Sequence, residues 1–158
     1  MRLRPAALAA SLALLPGACE DAAETGRLAS AVTIEDDAIP APLEGMTGDA
    51  ARGRDVFTGR DSGHCVLCHA VAGLDAEFQG NVGPALTGVA DRLTPGQIRL
   101  RIADAQKVWP GGVMPSYYRT GGLNQVGERY RGEPALTARE IEDLTAWLST
   151  LTLETDTP

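Results

Sequence analysis

The 158-residue chain is poor in aromatic side chains, with two Phe, two Trp and three Tyr. A domain of about a hundred residues ordinarily needs more apolar bulk than that to fill its core. Basic residues are outnumbered, 14 Lys and Arg against 21 Asp and Glu. That balance argues against a nucleic-acid partner, because phosphate backbones select basic surfaces. The apolar stretch from Ala6 to Leu15 is too short to cross a bilayer, so no membrane span is expected. No run of β-branched residues reads as the central strand of a parallel sheet, and no internal repeat is apparent. Cysteine and histidine are scarce: beyond residue 19 there are only His64, Cys65, Cys68 and His69. Ligands crowded into so short a stretch can hardly wrap one zinc ion, which usually takes two separated pairs.

What those residues do form is Cys65-Val66-Leu67-Cys68-His69, and C-x-x-C-H is the attachment signature of c-type haem. The two thiols, one helical turn apart, can add across the vinyl groups of a haem, and the adjacent histidine then lies under the iron as proximal ligand. One covalently bound haem c would also supply the missing apolar bulk, so the chain without it is expected to be largely unfolded. The competing chemistry is a thioredoxin-like dithiol, which also uses C-x-x-C in exported proteins. It would need strands alternating with helices around the motif, and none is legible.

The amino terminus has the form of an export signal over residues 1–18, with Arg2 and Arg4 ahead of the apolar stretch and cleavage expected near 18–23. A periplasmic location follows, and agrees with haem attachment outside the cytoplasm. Cys19 is a candidate lipid anchor, although Pro16 stands where such sites prefer leucine. After removal of the signal, 12 basic residues face 21 acidic ones, about −9. Seven acids lie before Gly45 (Glu20, Asp21, Glu24, Glu35, Asp36, Asp37 and Glu44), opposed only by Arg27. Residues 19–44 therefore read as an acidic leader containing Ala and Pro, either a solvated linker or an arm laid on a partner. The remaining 45–158 reads as one domain.

Helical periodicity runs from Met46 to Thr58, with Ala50, Gly53, Val56 and Phe57 on one stripe and Thr47 or Asp49 as cap. Thr94-Pro95-Gly96-Gln97 and Thr137-Ala138-Arg139-Glu140 are capping boxes. The second opens a helix carrying Ile141, Leu144, Trp147, Leu148 and Leu151. Gly53-x-x-x-Phe57 and Leu144-x-x-Trp147-Leu148 resemble the crossed terminal helices of class I cytochromes c. The expected fold is thus all-α, a class I cytochrome c-like domain with long irregular loops wrapped around one haem. Gly83-Pro84-x-Leu86-x-Gly88 resembles the loop whose proline carbonyl accepts the haem histidine's N–H, which makes Pro84 a cofactor-binding residue. For the sixth iron ligand, His64 is too close to His69 to reach the opposite haem face. Met46 reads as a boundary or packing methionine. Met114, in the loop Gly111-Gly112-Val113-Met114-Pro115, is the candidate, giving His/Met ligation with His69.

The downstream half is more distinctive. Val108-Trp109-Pro110, Met114-Pro115-Ser116-Tyr117-Tyr118-Arg119, Tyr130-Arg131-Gly132-x-Pro134-x-Leu136-Thr137 and Glu140-Ile141-Glu142-Asp143-Leu144 resemble the SoxX family, from about Gly45 to Leu153. These are monohaem cytochrome subunits of the bacterial sulfur-oxidising system. The resemblance implies a heterodimer with SoxA, another c-type cytochrome, acting as L-cysteine S-thiosulfotransferase on the SoxYZ carrier. Chemistry is then assigned to a haem of SoxA, and no catalytic residue falls on this chain. The present subunit would receive the electrons and pass them to a soluble acceptor cytochrome c. Within that picture Tyr117, Tyr118, Arg119, Tyr130 and Arg131 are candidate SoxA contacts, since Tyr and Arg are enriched at interface centres. The alternative is a free-standing periplasmic electron carrier with the same haem ligands.

Overall fold

The computed structural model describes residues 26–154, so the expected export segment, Cys19 and the last four residues lie outside it. Among the described residues there are three α-helices and no sheet strand, joined by long irregular segments and five short 3-10 turns. Helix α1 spans Ala50–Thr58, α2 Pro95–Asp104 and α3 Ala138–Leu148. Each begins where a side-chain oxygen satisfies an orphan amide of the first turn. Asp49 accepts from the Arg52 amide, so Asp49 rather than Thr47 caps α1, and Met46 is extended. Both capping boxes close reciprocally, Thr94 with Gln97 and Thr137 with Glu140. Pro95 stands at the start of α2, where a missing N–H breaks no helical bond.

Helices α1 and α3 cross at Gly53. A Cβ there would sit 2.0 Å from the Asp143 carbonyl oxygen and 2.8 Å from Trp147 Cβ. Only glycine lets the two backbones touch at that distance. Just beyond the crossing, Phe57 and Trp147 interlock with ring centroids 4.8 Å apart and planes tilted by 55°, a geometry that avoids face-to-face repulsion of the ring quadrupoles. Ile141 and Leu144 complete the buried stripe of α3, and α2 adds Ile98, Leu100 and Ile102.

Residues 26–44 differ from the expected solvated leader. Ile39 and Leu43 are each 1% exposed and belong to the main core. Their backbone is fastened by a buried ion pair. Arg99 of α2 donates through Nε to Glu142 Oε1 of α3 at 2.6 Å and through Nη1 to the Ile39 carbonyl, also at 2.6 Å. Glu142 Oε1 in turn accepts the Leu43 amide at 2.8 Å. Asp37 accepts from Gln97 and Arg101 on the outer side of α2. Of the acids that made this stretch look like a linker, Asp37 is thus paired with Arg101, 64 residues away in sequence, and Glu44 accepts from the Tyr118 hydroxyl. Ile39 and Leu43, the two large apolar residues of the segment that are fully buried, are spaced four apart. Earlier in the segment, Ala29 donates to the Tyr118 carbonyl at 2.9 Å, and Ser30 shares a hydrogen bond with the Tyr118 hydroxyl.

Candidate haem-binding site

The attachment turn follows directly from the end of α1. After Gly59 the chain reverses, His64 donating its amide to the Gly59 carbonyl and adopting left-handed backbone (φ +46). A 3-10 turn then covers Cys65–Leu67, with the amides of Cys68 and His69 both bonded to the Cys65 carbonyl at 3.0 and 2.9 Å. Val66 points into the core while Cys65 and Cys68 stay half-buried, and no disulfide joins them. Burial pushes the Cys65 thiol up to about 12. A dithiol redox catalyst needs the opposite, a lowered pKa that exposes thiolate. The surroundings of Cys65 therefore disfavour the dithiol chemistry that the bare spacing allows.

His69 is held by the loop identified in the sequence. Its Nδ1 lies 2.7 Å from the Pro84 carbonyl oxygen. A carbonyl can only accept, so the proton sits on Nδ1 and the lone pair on Nε2, the form in which imidazole binds a metal. Gly83 gives the ring its room, because a Cβ there would lie 2.3 Å from His69 Cε1. The loop is itself pinned on both sides. Gly83 N donates to the Cys68 carbonyl at 2.9 Å and Leu86 N to the Ala70 carbonyl at 2.8 Å. Arg92 gathers the carbonyls of Ala85, Thr87 and Gly88. Gln79 closes the intervening excursion by accepting from Val71 N and donating to the Leu74 carbonyl.

Met114 lies half-buried in its glycine-rich loop, next to the exposed Val113, while Met46 packs against the hydrophobic core. The segment after Met114 reaches the attachment turn: Tyr117 donates its hydroxyl to the Gly63 carbonyl at 3.4 Å. Burial, reinforced by the nearby Cys65 and Cys68 sulfurs, raises Tyr117 to about 12. Three of the five residues expected at a partner interface are thereby accounted for otherwise. Tyr117 packs beside the haem turn. Tyr118 is 1% exposed and donates to Glu44. Arg119 is bound to the fully buried Asp104. Tyr and Arg in sequence signal large contact area, but not whether the contact is with a partner or with the chain's own interior. Tyr130, partly exposed, and Arg131, 71% exposed in its side chain, remain on the surface.

The donor set suits a covalently attached haem. Two sulfurs one turn apart can take the thioether bonds, a histidine is already oriented through Nδ1, and the segment that follows Met114 reaches the same turn through Tyr117. No cluster of three or more His, Cys, Asp or Glu that could hold a different metal occurs among the described residues. No described helix is long and apolar enough to cross a membrane.

Comparison with known proteins agrees with this geometry. The cytochrome c family model matches residues 50–152. No curated protein sequence matches the chain. Among solved structures, a chain of SoxXA from P. pantotrophus is 35% identical and superposes with a TM-score of 0.71, covering 77% of this chain and 94% of that one. The c-type cytochrome SorU from Sinorhizobium meliloti is 27% identical with a TM-score of 0.44, covering 66% and 91%.

Proposed function

This chain belongs to the cytochrome c family as a SoxX-like monohaem member, and from that premise we propose that it is the electron-accepting subunit of a periplasmic L-cysteine S-thiosulfotransferase. Its partner would be a SoxA-type cytochrome, and the substrate thiol a cysteine of a SoxYZ-type carrier. The observation that carries the reading is the 35% identity, over nearly the full length of that chain, to a component of SoxXA. It is supported by the His69–Pro84 bond directly behind the attachment turn.

The reaction fixes what such a subunit must do. Joining thiosulfate to a thiol forms one S–S bond, releases the thiol proton and liberates two electrons. Bound haem supplies a one-electron acceptor whose iron alternates between ferric and ferrous. The protein's own residues set how readily that happens. Cys65 and Cys68 would hold the haem covalently through thioether bonds. His69, fixed in its Nδ1–H tautomer by Pro84, offers Nε2 to the iron, and the bond to the carbonyl raises the imidazole's donor strength. Met114 would supply a second protein ligand, a thioether that favours the ferrous state and raises the potential. With His69 and Met114 both as ligands the haem would carry electrons rather than bind substrate, which is why we place chemistry on the partner and electron uptake here. Electrons would leave to a soluble acceptor cytochrome c. Tyr130 and Arg131 are the surface residues we assign to the partner contact.

The test is purification of the tagged protein from its own host grown on thiosulfate, followed by a denaturing gel stained for covalent haem. Haem on this chain together with a larger co-purifying haem band is the expected result. Haem on this chain alone would remove the partner and with it the transferase role. A chain without haem would overturn the cytochrome assignment itself.

A further inference from the structure

Asp104, at the last position of α2, has no exposed surface at all, yet it is charged and far from the attachment turn in sequence. Its carboxylate is occupied entirely by the segment that follows Met114. Ser116 Oγ donates to Oδ1 at 2.6 Å. Arg119 Nη2 donates to Oδ1 and Oδ2 at 2.6 and 2.7 Å, and its Nε reaches Oδ2 at 3.2 Å. The same stretch is laid on the end of α2 by its backbone, Tyr117 N to the Ile102 carbonyl at 3.3 Å and Tyr118 N to the Ala103 carbonyl at 3.0 Å. Upstream of Met114 the chain is different: a turn closed by Gly112 N on the Trp109 carbonyl, with Gly111 at φ +82 and Val113 83% exposed. The loop is therefore anchored on its downstream side, two residues from the sulfur-bearing side chain.

We propose that Asp104 is a positioning residue for the Met114 sulfur: by clamping Ser116 and Arg119 it sets where residue 114 stands against the haem. The inference rests on Met114 being the second axial ligand. Methionine has three rotatable side-chain bonds and cannot hold its own sulfur in place. A neutral thioether is also a weak donor, so its hold on ferric iron depends on being presented at the right distance. A buried carboxylate satisfied by charge-assisted bonds provides a fixed point of that kind. A structural salt bridge with no bearing on the ligand would stabilise the fold equally well but leave the iron's properties alone.

The experiment uses the full-length protein with its haem attached, and compares Ser116→Ala, Ser116→Thr, Asp104→Asn and Met114→Ala. Three properties are read: the red absorption band of sulfur-to-ferric-iron charge transfer, the reduction potential, and the affinity of ferric protein for added imidazole. Loss of one hydrogen bond to a charged group should raise imidazole affinity about tenfold in Ser116→Ala. It should also weaken the band and lower the potential, with Ser116→Thr restoring all three. Asp104→Asn should act in the same direction and more strongly. If Met114→Ala abolishes the band while both Ser116→Ala and Asp104→Asn keep every property of the parent, the positioning role is wrong and the axial assignment stands. If Met114→Ala keeps the band, both fall together. Should Asp104→Asn fail to accumulate, the serine pair decides the question alone.

Discussion

Replacing Gly53 by alanine sets two backbone effects against each other, and their magnitudes decide the sign. In a helix interior alanine is favoured over glycine by about 1 kcal/mol. At Gly53, however, the added Cβ would lie 2.0 Å from the Asp143 carbonyl oxygen, 2.5 Å from its carbon and 2.8 Å from Trp147 Cβ. Ordinary contact begins at 3.4 Å, and two of these three neighbours are backbone, which cannot swing aside. The helices must part by about an ångström, which weakens the Phe57–Trp147 ring contact and strains the Asp143 bonds to Arg52 and the Asp49 amide. Overpacking of this kind costs about 1–3 kcal/mol, and one aromatic pair is worth about 1 kcal/mol more. The net expectation is a loss of about 2 kcal/mol. For a domain of this size that lowers the melting temperature by about 6–12 °C. Thermal unfolding of the haem-loaded protein, followed by far-ultraviolet circular dichroism, measures it. A Gly53→Ala variant that melts at or above the parent temperature would show that the helix crossing is not limited by this contact.

Met114→Ala should keep the haem attached but lower the reduction potential and open the iron to small ligands; if Met46→Ala does so instead, the axial assignment is wrong. Gly83→Ala should leave the fold intact while turning the His69 ring, since the new Cβ would press on Cε1 at 2.3 Å; an unchanged potential and an unchanged haem spectrum would contradict that account. Stability should fall in acid. Burial acts to raise the Asp143 carboxyl, but the Arg52 guanidinium and the Asp49 amide outweigh it and hold the group below its usual 3.8. A depressed folded pKa contributes stability that is complete above the unfolded value and lost as pH falls through the folded one. Asp143→Asn should therefore flatten the pH–stability curve below about pH 4, and denaturant titrations from pH 2 to 6 that superpose on the parent would refute it. In the mature holoprotein Cys65 and Cys68 should not react with thiol reagents even after denaturation, because thioether sulfurs are no longer nucleophilic; two titratable thiols would restore the dithiol.

How much of this was legible in the sequence depends on how local each cause is. Capping boxes, the attachment turn and the helix stripes act within a few residues, so Thr94, Thr137, Cys65, Cys68 and His69 could be read directly. The His69–Pro84 bond spans 15 residues and was reached through a resemblance to known loops rather than through spacing. Contacts between distant residues leave no local mark. The acidic leader reads as a linker or arm, because nothing local reveals that Arg99 and Glu142 bind the backbone at Ile39 and Leu43. Tyr118 and Arg119 looked like contact residues for another protein, because an aromatic or guanidinium group is equally suited to an interface and to an interior.

The sequence by itself determined the chemistry of this protein. Covalent attachment needs two thiols at fixed separation and a histidine beside them, and those requirements are met within five consecutive residues. Tertiary structure alone decided how that chemistry is held. Buried carboxylates must be neutralised wherever the fold delivers an arginine, and Asp104, Glu142 and Asp143 meet Arg119, Arg99 and Arg52 through tertiary contacts. Those pairings fasten the residue 26–44 segment to α2 and α3, lock α1 across α3 and anchor the chain beyond Met114. Desolvated charges cannot be left unpaired, so it is the closed fold, more than any local pattern, that fixes where the residue 26–44 segment and the methionine loop come to rest.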